Sequence, residues 1–361
     1  MKLLIEKPGL LTTVQDLGRR GHQMRGVPVA GAMDAAALRL GNILVGNEKG
    51  SSGLEPAGLE VTVLGPSIRV LEGEGCFAVT GAETGVAKNG APVPCWTALK
   101  IAAGDVVAFS AFASAGGCSS QGGARSYFCV TGGIDVPIVM NSRSTYTRGK
   151  FGGHEGRALK AGDTLVTGER PSLWAACEGL ECPPRLRPVR NPSAPLRAIP
   201  GPQDDLFTEE GLSTFYSSGY VITNSADRMG FRLEGPLIEH KNSPDIISDA
   251  ICLGSVQVPG HGQPIVMLAD RQTTGGYTKI ATVCTVDVEN LAQRLPGGEV
   301  RFVKITANEA ADLLRQEENL MTEMRRLRAA WRSRPQGSAL RGALTIRVDG
   351  KPHQVEWEKL N

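Results

Sequence analysis

The stretch Pro264-Ile265-Val266-Met267-Leu268-Ala269-Asp270-Arg271-Gln272-Thr273-Thr274-Gly275-Gly276-Tyr277 decides how this chain is read. Its first six residues are an apolar run, the pattern of a buried β-strand. The next eight carry a carboxylate, a guanidinium, an amide, two hydroxyls, a phenol and a Gly-Gly pair. A turn that only reverses the chain has no need of so many different polar groups. A rigid strand feeding a polar loop is a common way to build a site, because loops on a firm scaffold carry much of protein chemistry.

The same alternation of strand and turn runs through most of the sequence. Its 45 glycines and 22 prolines among 361 residues suit many short strands joined by tight turns and argue against a mainly helical fold. Hydrophobic residues at 41% and charged residues at 21% describe a folded chain, long enough for a large core or two domains. The formal net charge of +2 gives no field that favours nucleic acid or an anionic membrane. No apolar run near the N-terminus is long enough for a signal peptide, and Val106 to Ala124, though uncharged, is filled with Ser, Gly and Gln. A cytoplasmic location is the expectation.

Asp34 caps an expected helix from Ala35 to Val45. Glu60 to Leu64 alternates, Gly65-Pro66 interrupts, and Ile68 to Leu71 resumes. Leu99 to Ile101, Gly104-Asp105 and Val106-Val107 read as strand, turn and strand, and Leu159 to Leu165 echoes them. Ala113 to Ala124 reads as a Gly/Ser-rich link. Eight of the 22 prolines fall between Pro171 and Pro202, the signature of a stiff, partly extended linker. A short helix is expected over about 205–216, then strands to about Lys304. Thr306-Ala307-Asn308-Glu309 is a capping box, and Ala310, Leu313, Leu314, Leu320, Met324, Leu327 and Trp331 follow at helical spacing. Leu344 to Val348, Asp349-Gly350 and His353 to Trp357 read as a hairpin. The expectation is a mainly β protein: a first lobe over 1–170, a Pro-rich linker over 171–202, a second β lobe over 203–305, and a helix-plus-hairpin extension over 306–361.

Familiar chemical motifs are absent. There is no P-loop, no G-x-S-x-G elbow and no H-E-x-x-H helix. The eight cysteines form no C-x-x-C pair and sit mostly in apolar runs, so a metal site is not expected and reduced core thiols are. The five histidines are scattered. What remains is four polar, glycine-rich clusters: Thr12 to Arg19; Ser142 to Tyr146 with Gly152 to Arg157; Asp227 to Leu233; and the opening loop, preceded by Gln257. Arginine matches carboxylate or phosphate in bidentate fashion, and Gln and Thr suit an amide or ureido group. Any one of these residues is more simply a turn or a cap; four clusters of one character together suit a small, polar, amide-like or acyl-phosphate substrate.

Five blocks in order resemble the biotin-dependent carboxyltransferase-like family, over roughly residues 3–304. They are Thr12 to Arg19; Pro28 to Asp34 with Asn42 and Gly46-Asn47; Gly132 to Pro137 with Ser142 to Thr145; Arg228 to Leu233; and Asp270 to Tyr277. That family includes KipA, the C component of 5-oxoprolinase, proteins called allophanate hydrolase subunit 2, and half of the urea carboxylase carboxyltransferase domain. The resemblance implies cyclophilin-like β-barrel architecture, a KipI-like B component and a LamB-type A component as partners, and ATP-dependent opening of 5-oxoproline. Its urea carboxylase branch implies carboxyl transfer from biotin, supplied in trans, to urea, guanidine or another amide; no Met-Lys-Met biotinylation site is present. Its KipA branch implies a regulatory binding module. On the first reading Asp270, Arg271, Tyr277 and Asp16 are catalytic candidates, with Asp270 orienting or deprotonating a nucleophile. Gln15, Arg19, Ser142, Arg143, Arg228, Gln257, Gln272, Thr273, Thr274, Gly275 and Gly276 are expected substrate contacts, with Arg228 holding an anion. ATP, bound with a partner protein, is the expected cofactor, and no metal is.

Overall fold

The apolar run becomes the strand Ile265–Met267, one stave of a closed barrel. The computed structural model describes residues 1–49, 53–110 and 123–334, together with the backbone of the strands Arg341–Val348 and Lys351–Glu358. Most of the Gly/Ser-rich link over 113–124 lies outside the described residues.

Seven strands close the barrel in the order Leu196–Pro200, Glu299–Lys304, Gly219–Ile222, Gly230–Glu234, Ile265–Met267, Ser255–Val258 and Thr274–Val283. Thr274–Val283 then returns to Leu196–Pro200 through the pair Ala198↔Val283. Closure removes the open sheet edge that would otherwise need protection. Period-2 alternation fills the interior, for example with Val300 and Phe302 from one strand and Tyr220 and Ile222 from another. A short helix, Glu209–Ser217, lays Phe215 against Phe302 with ring centroids 4.4 Å apart. One further strand, Asp245–Ala250, hangs outside the barrel on Thr274–Val283.

The first lobe is two antiparallel sheets, of seven and five strands, with Leu3, Ile5, Phe77, Phe128 and Val130 in the core between them. Here the local pattern misleads. Leu99–Ala102 and Val106–Phe109, expected to read as strand, turn and strand of one hairpin type, pair in different sheets. Gly58–Thr62 and Ser67–Glu72 do the same. A turn signal marks where the chain bends; it does not say whether the next strand pairs back or crosses to the facing sheet.

The helix Ala35–Leu44 buries eight of its ten residues, and Asp34 caps it by accepting from the Ala37 amide at 3.1 Å. Gly41 lets it lie close to the five-stranded sheet, since a Cβ there would come within 2.6 Å of Cys129 Sγ. The expected linker over 171–202 is packed instead of extended: Cys177, Leu180, Cys182 and Leu186 are buried in one cluster with this helix and with Met321 and Met324 of the long C-terminal helix, Ala307–Arg332. The capping box of that helix forms as expected. Its buried stripe differs, however, running through Glu317, Met321, Met324 and Arg328, while Leu314 stays exposed. Two charged residues belong to the stripe: Arg328 pairs with Glu48, and Glu317 joins a buried ion cluster. Arg190 Nη2 in that cluster lies 2.7 Å from Asp34, 2.5 Å from Glu289 and 3.7 Å from Glu317.

Seven described cysteines are free thiols, most of them buried; burial pushes Cys76 and Cys182 up to about 12 and leaves them as neutral packing groups. Among the described residues no helix is long and apolar enough to cross a membrane.

Candidate functional site

The expected clusters meet along the seam between the lobes. Asp16 follows the strand Leu11–Gln15, and its buried carboxylate accepts from Ser142 Oγ at 2.7 Å, Ser144 Oγ at 2.5 Å, Gly18 N at 2.8 Å and Arg143 N at 2.6 Å. Four donors on one carboxylate tie the 142–145 turn to the first loop. Arg19 lies wholly buried over the Phe151 ring, 4.9 Å from its centroid, and donates Nη2 to the Ser144 carbonyl. Burial lowers its pKa against the pull of Asp16 and Asp270, and its Nε and Nη1 lack partners.

Arg228 is the hub of the seam. Its fork grips Asp270, Nε to Oδ2 at 3.1 Å and Nη2 to Oδ1 at 3.0 Å. Nη1 donates to Glu60, and Nη2 also donates to the Gly31 carbonyl at 2.6 Å. Expected to hold a substrate anion, Arg228 holds two of the protein's own, and each of its three nitrogens is engaged. Glu60 in turn accepts from Met33 N at 2.8 Å and from Tyr127 Oη at 2.9 Å, and Tyr127 Oη accepts from Asp34 N at 2.7 Å. Burial raises the Asp270 carboxyl above its usual range, the Arg228 charge opposes this, and Glu60 and Asp227 add to the rise. With both oxygens in the Arg228 fork, Asp270 fixes the start of the polar loop and orients the arginine, whose bonds to Glu60 and the Gly31 carbonyl link the two lobes.

The remaining expected residues are placed as follows. Gln15 turns to Thr13 Oγ1 at 3.0 Å and to the Thr145 carbonyl at 3.3 Å. The Arg143 side chain leaves the seam and pairs with Asp135 at 3.1 Å. Arg271 donates to the Ile251 and Leu268 carbonyls at 3.1 and 3.2 Å, and burial, with Arg20 nearby, lowers its pKa. The loop expected over Asp270 to Tyr277 ends at Thr273. Thr274, Gly275 and Tyr277 already belong to a long strand and pair with Ala250, Asp249 and Asp245. The physical reason is the outer strand Asp245–Ala250, whose cover turns an apparent Gly-Gly loop into ladder.

Beside this seam opens a cleft of about 260 Å³. Gln257, Gln272 and Tyr277 line it, together with Asp227 and Arg232 of the third cluster and with Arg148 and His261, which lie outside the sequence clusters. Arg148 comes from the first lobe and pairs with Asp227 of the second at 3.1 Å, so the cleft is closed by both. Gln257 Nε2 and Gln272 Oε1 are buried without hydrogen-bond partners. The volume lies just below the roughly 300–1,000 Å³ typical of sites for drug-sized ligands, a scale that suits a small molecule. No group of three or more potential metal ligands occurs among the described residues.

Sequence reasoning missed Glu60 and Tyr127, on which Arg228 depends. The signal was present in part: Glu60 lies between Leu59 and Val61 in a strand buried along its length, where a carboxylate requires a partner.

Comparison with known proteins agrees with this architecture. Residues 25–304 match the family described as the carboxyltransferase domain, subdomain A and B. The chain is 36% identical to the C component of 5-oxoprolinase from Haemophilus influenzae over 87% of its own length and 95% of that protein. It is also 36% identical to the Escherichia coli protein of that name over 91% of its own length and 98% of the relative. Among solved structures, the Kluyveromyces lactis urea carboxylase superposes with a TM-score of 0.80 at 27% identity, covering 90% of this chain but 29% of the larger one. With its closed barrel, its two lobes and this match over most of its length, the chain belongs to the carboxyltransferase domain family, subdomain A and B.

Proposed function

We propose that this chain is the C component of a cytoplasmic, multi-protein enzyme that opens a small lactam, 5-oxoproline, with ATP. One observation carries this reading: the chain spans 95% and 98% of two proteins named as the C component of 5-oxoprolinase, against 29% of the urea carboxylase chain it superposes on. The cleft supports it by scale and lining, since Arg232 offers a guanidinium to a carboxylate on a small ring, beside Arg148, which pairs with Asp227 at the rim. On this reading ATP is bound together with a KipI-like or a LamB-type partner. Within this chain the seam sets the geometry and the cleft holds the substrate while water is excluded by the partner.

The test is reconstitution. Coexpressed with a KipI-like and a LamB-type partner, the chain is expected to support ATP-dependent release of glutamate from 5-oxoproline, and omission of the chain to abolish it. Turnover that is equal without the chain would sink the reading. The TM-score of 0.80 with urea carboxylase favours a second reading, carboxyl transfer from a carboxylated biotin carrier to an amide nitrogen. Transfer of labelled carboxyl from such a carrier to urea would select it.

A further inference from the structure

Gln257 sits on Ser255–Val258, where pairing with the neighbouring strand jumps from Val256↔Ala281 to Gln257↔Lys279. Such a bulge re-aims a side chain. Gln272 reaches the same cleft from the loop after Asp270. Between them lies Gly275. A Cβ there would stand 2.8 Å from Gln257 Nε2, 3.6 Å from Gln272 Nε2 and 2.6 Å from Ile251 Cδ1, so the glycine leaves room for both amides as they are placed.

What distinguishes the two amides is what they lack. Gln257 leaves a buried donor unpaired and Gln272 a buried acceptor. A buried polar group without a partner carries its full desolvation cost, and a ligand that supplies the partner removes that cost. A carboxamide has a donor end and an acceptor end, and each can turn to suit what enters. We propose that Gln257 and Gln272 are a specificity-determining pair that reads both the C=O and the N–H of a secondary amide, as in a lactam ring or an N-substituted ureido group, and rejects the ester of the same shape. The proposal rests on the amide-processing role given above but concerns recognition alone. A lactone presents a carbonyl and no N–H, so it satisfies only one of the two unpaired groups. A site that binds by shape would not tell lactam from lactone.

The experiment titrates the full chain, alone and in complex with its KipI-like partner, with 2-pyrrolidone and with γ-butyrolactone by calorimetry or chemical-shift perturbation. The expected result is lactam binding at least about tenfold tighter than lactone binding. Gln272→Met, in a half-buried loop position where folding is not at stake, is expected to bring the lactam down to the lactone's affinity. Gln272→Glu keeps an acceptor and is expected to retain part of the preference. Equal binding of the two ligands, absence of lactam binding in both forms of the protein, or an unchanged preference in Gln272→Met overturns the proposal. Its failure is separable from failure of the functional reading. Lactam selectivity in a complex that does not turn over 5-oxoproline keeps the pair and discards the reaction, and turnover without selectivity does the reverse.

Discussion

At the seam, Arg228 meets Asp270, Glu60 and the Gly31 carbonyl, and Glu60 meets Met33 N and Tyr127. In the cleft a few residues away, Gln257 and Gln272 each keep a buried polar atom unpaired. Both regions use the loop that starts at Asp270. The satisfied network fixes the lobes against each other; the unsatisfied pair holds binding capacity in reserve. A buried polar group that is fully paired is structure; an unpaired one that lines a cleft is a place for a ligand, which distinguishes Gln257 and Gln272 from Arg19, whose Nε and Nη1 are unpaired within the seam.

The largest break in this comparison comes from Arg228→Met. It leaves Asp270 and Glu60 buried without their cation, and a loss of about 3–5 kcal/mol in urea denaturation is expected; a loss below about 1 kcal/mol would show that the seam is not held by this hub. Tyr127→Phe deprives Glu60 of a donor and Asp34 N of its acceptor, and about 1–3 kcal/mol is expected. Gly275→Ala probes the cleft: its Cβ forces Ile251 or Gln257 aside, an overpacking cost of about 1–3 kcal/mol with loss of small-ligand binding.

A pH titration sharpens the account of the C-terminal helix. Burial raises Glu289 and Glu317 above their usual range, against the pull of Arg190, while Asp34, held by Arg190 and Gln293, is lowered. A carboxyl raised on folding favours the folded state below about pH 4.5, and that contribution is lost as pH rises through its folded value. Asp34 acts oppositely, its contribution being lost as pH falls. Stability is therefore expected to decline as pH rises from about 4.5 through the folded values of Glu289 and Glu317, and Glu289→Gln to flatten the decline; parallel curves for the two proteins would contradict a buried proton at this cluster. The smallest expected effect is Gln272→Met, within about 0.5 kcal/mol of the parent in stability, because the atom it removes has no partner to lose. A large destabilisation there would mean that Gln272 is structural after all.

Much of the fold was legible. Asp34, the capping box at Thr306 and Glu309, and the apolar run before Asp270 each announce an element, because capping and periodicity act over a few residues. The candidate site was legible as clusters that come into contact: Asp16 does meet Ser142, and Arg228 does meet Asp270. What was not legible is direction. Nothing around Arg228 says that its anions are internal, since Glu60 is 168 positions away. Nothing around Thr274 says that a strand from 245–250 will cover it and end the loop.

Propensity, capping and alternation are local, so the order of residues was enough to dictate a mainly β chain, three of its helices and the polar character of the candidate site, but not the helix Thr285–Ala292, where strands and turns were expected. Tertiary contacts decided that the barrel closes, that turns cross between sheets, and which buried polar groups are paired and which are left open. Those outcomes depend on residues far apart in the chain, where one carboxylate on another strand separates a structural arginine from one that binds a ligand.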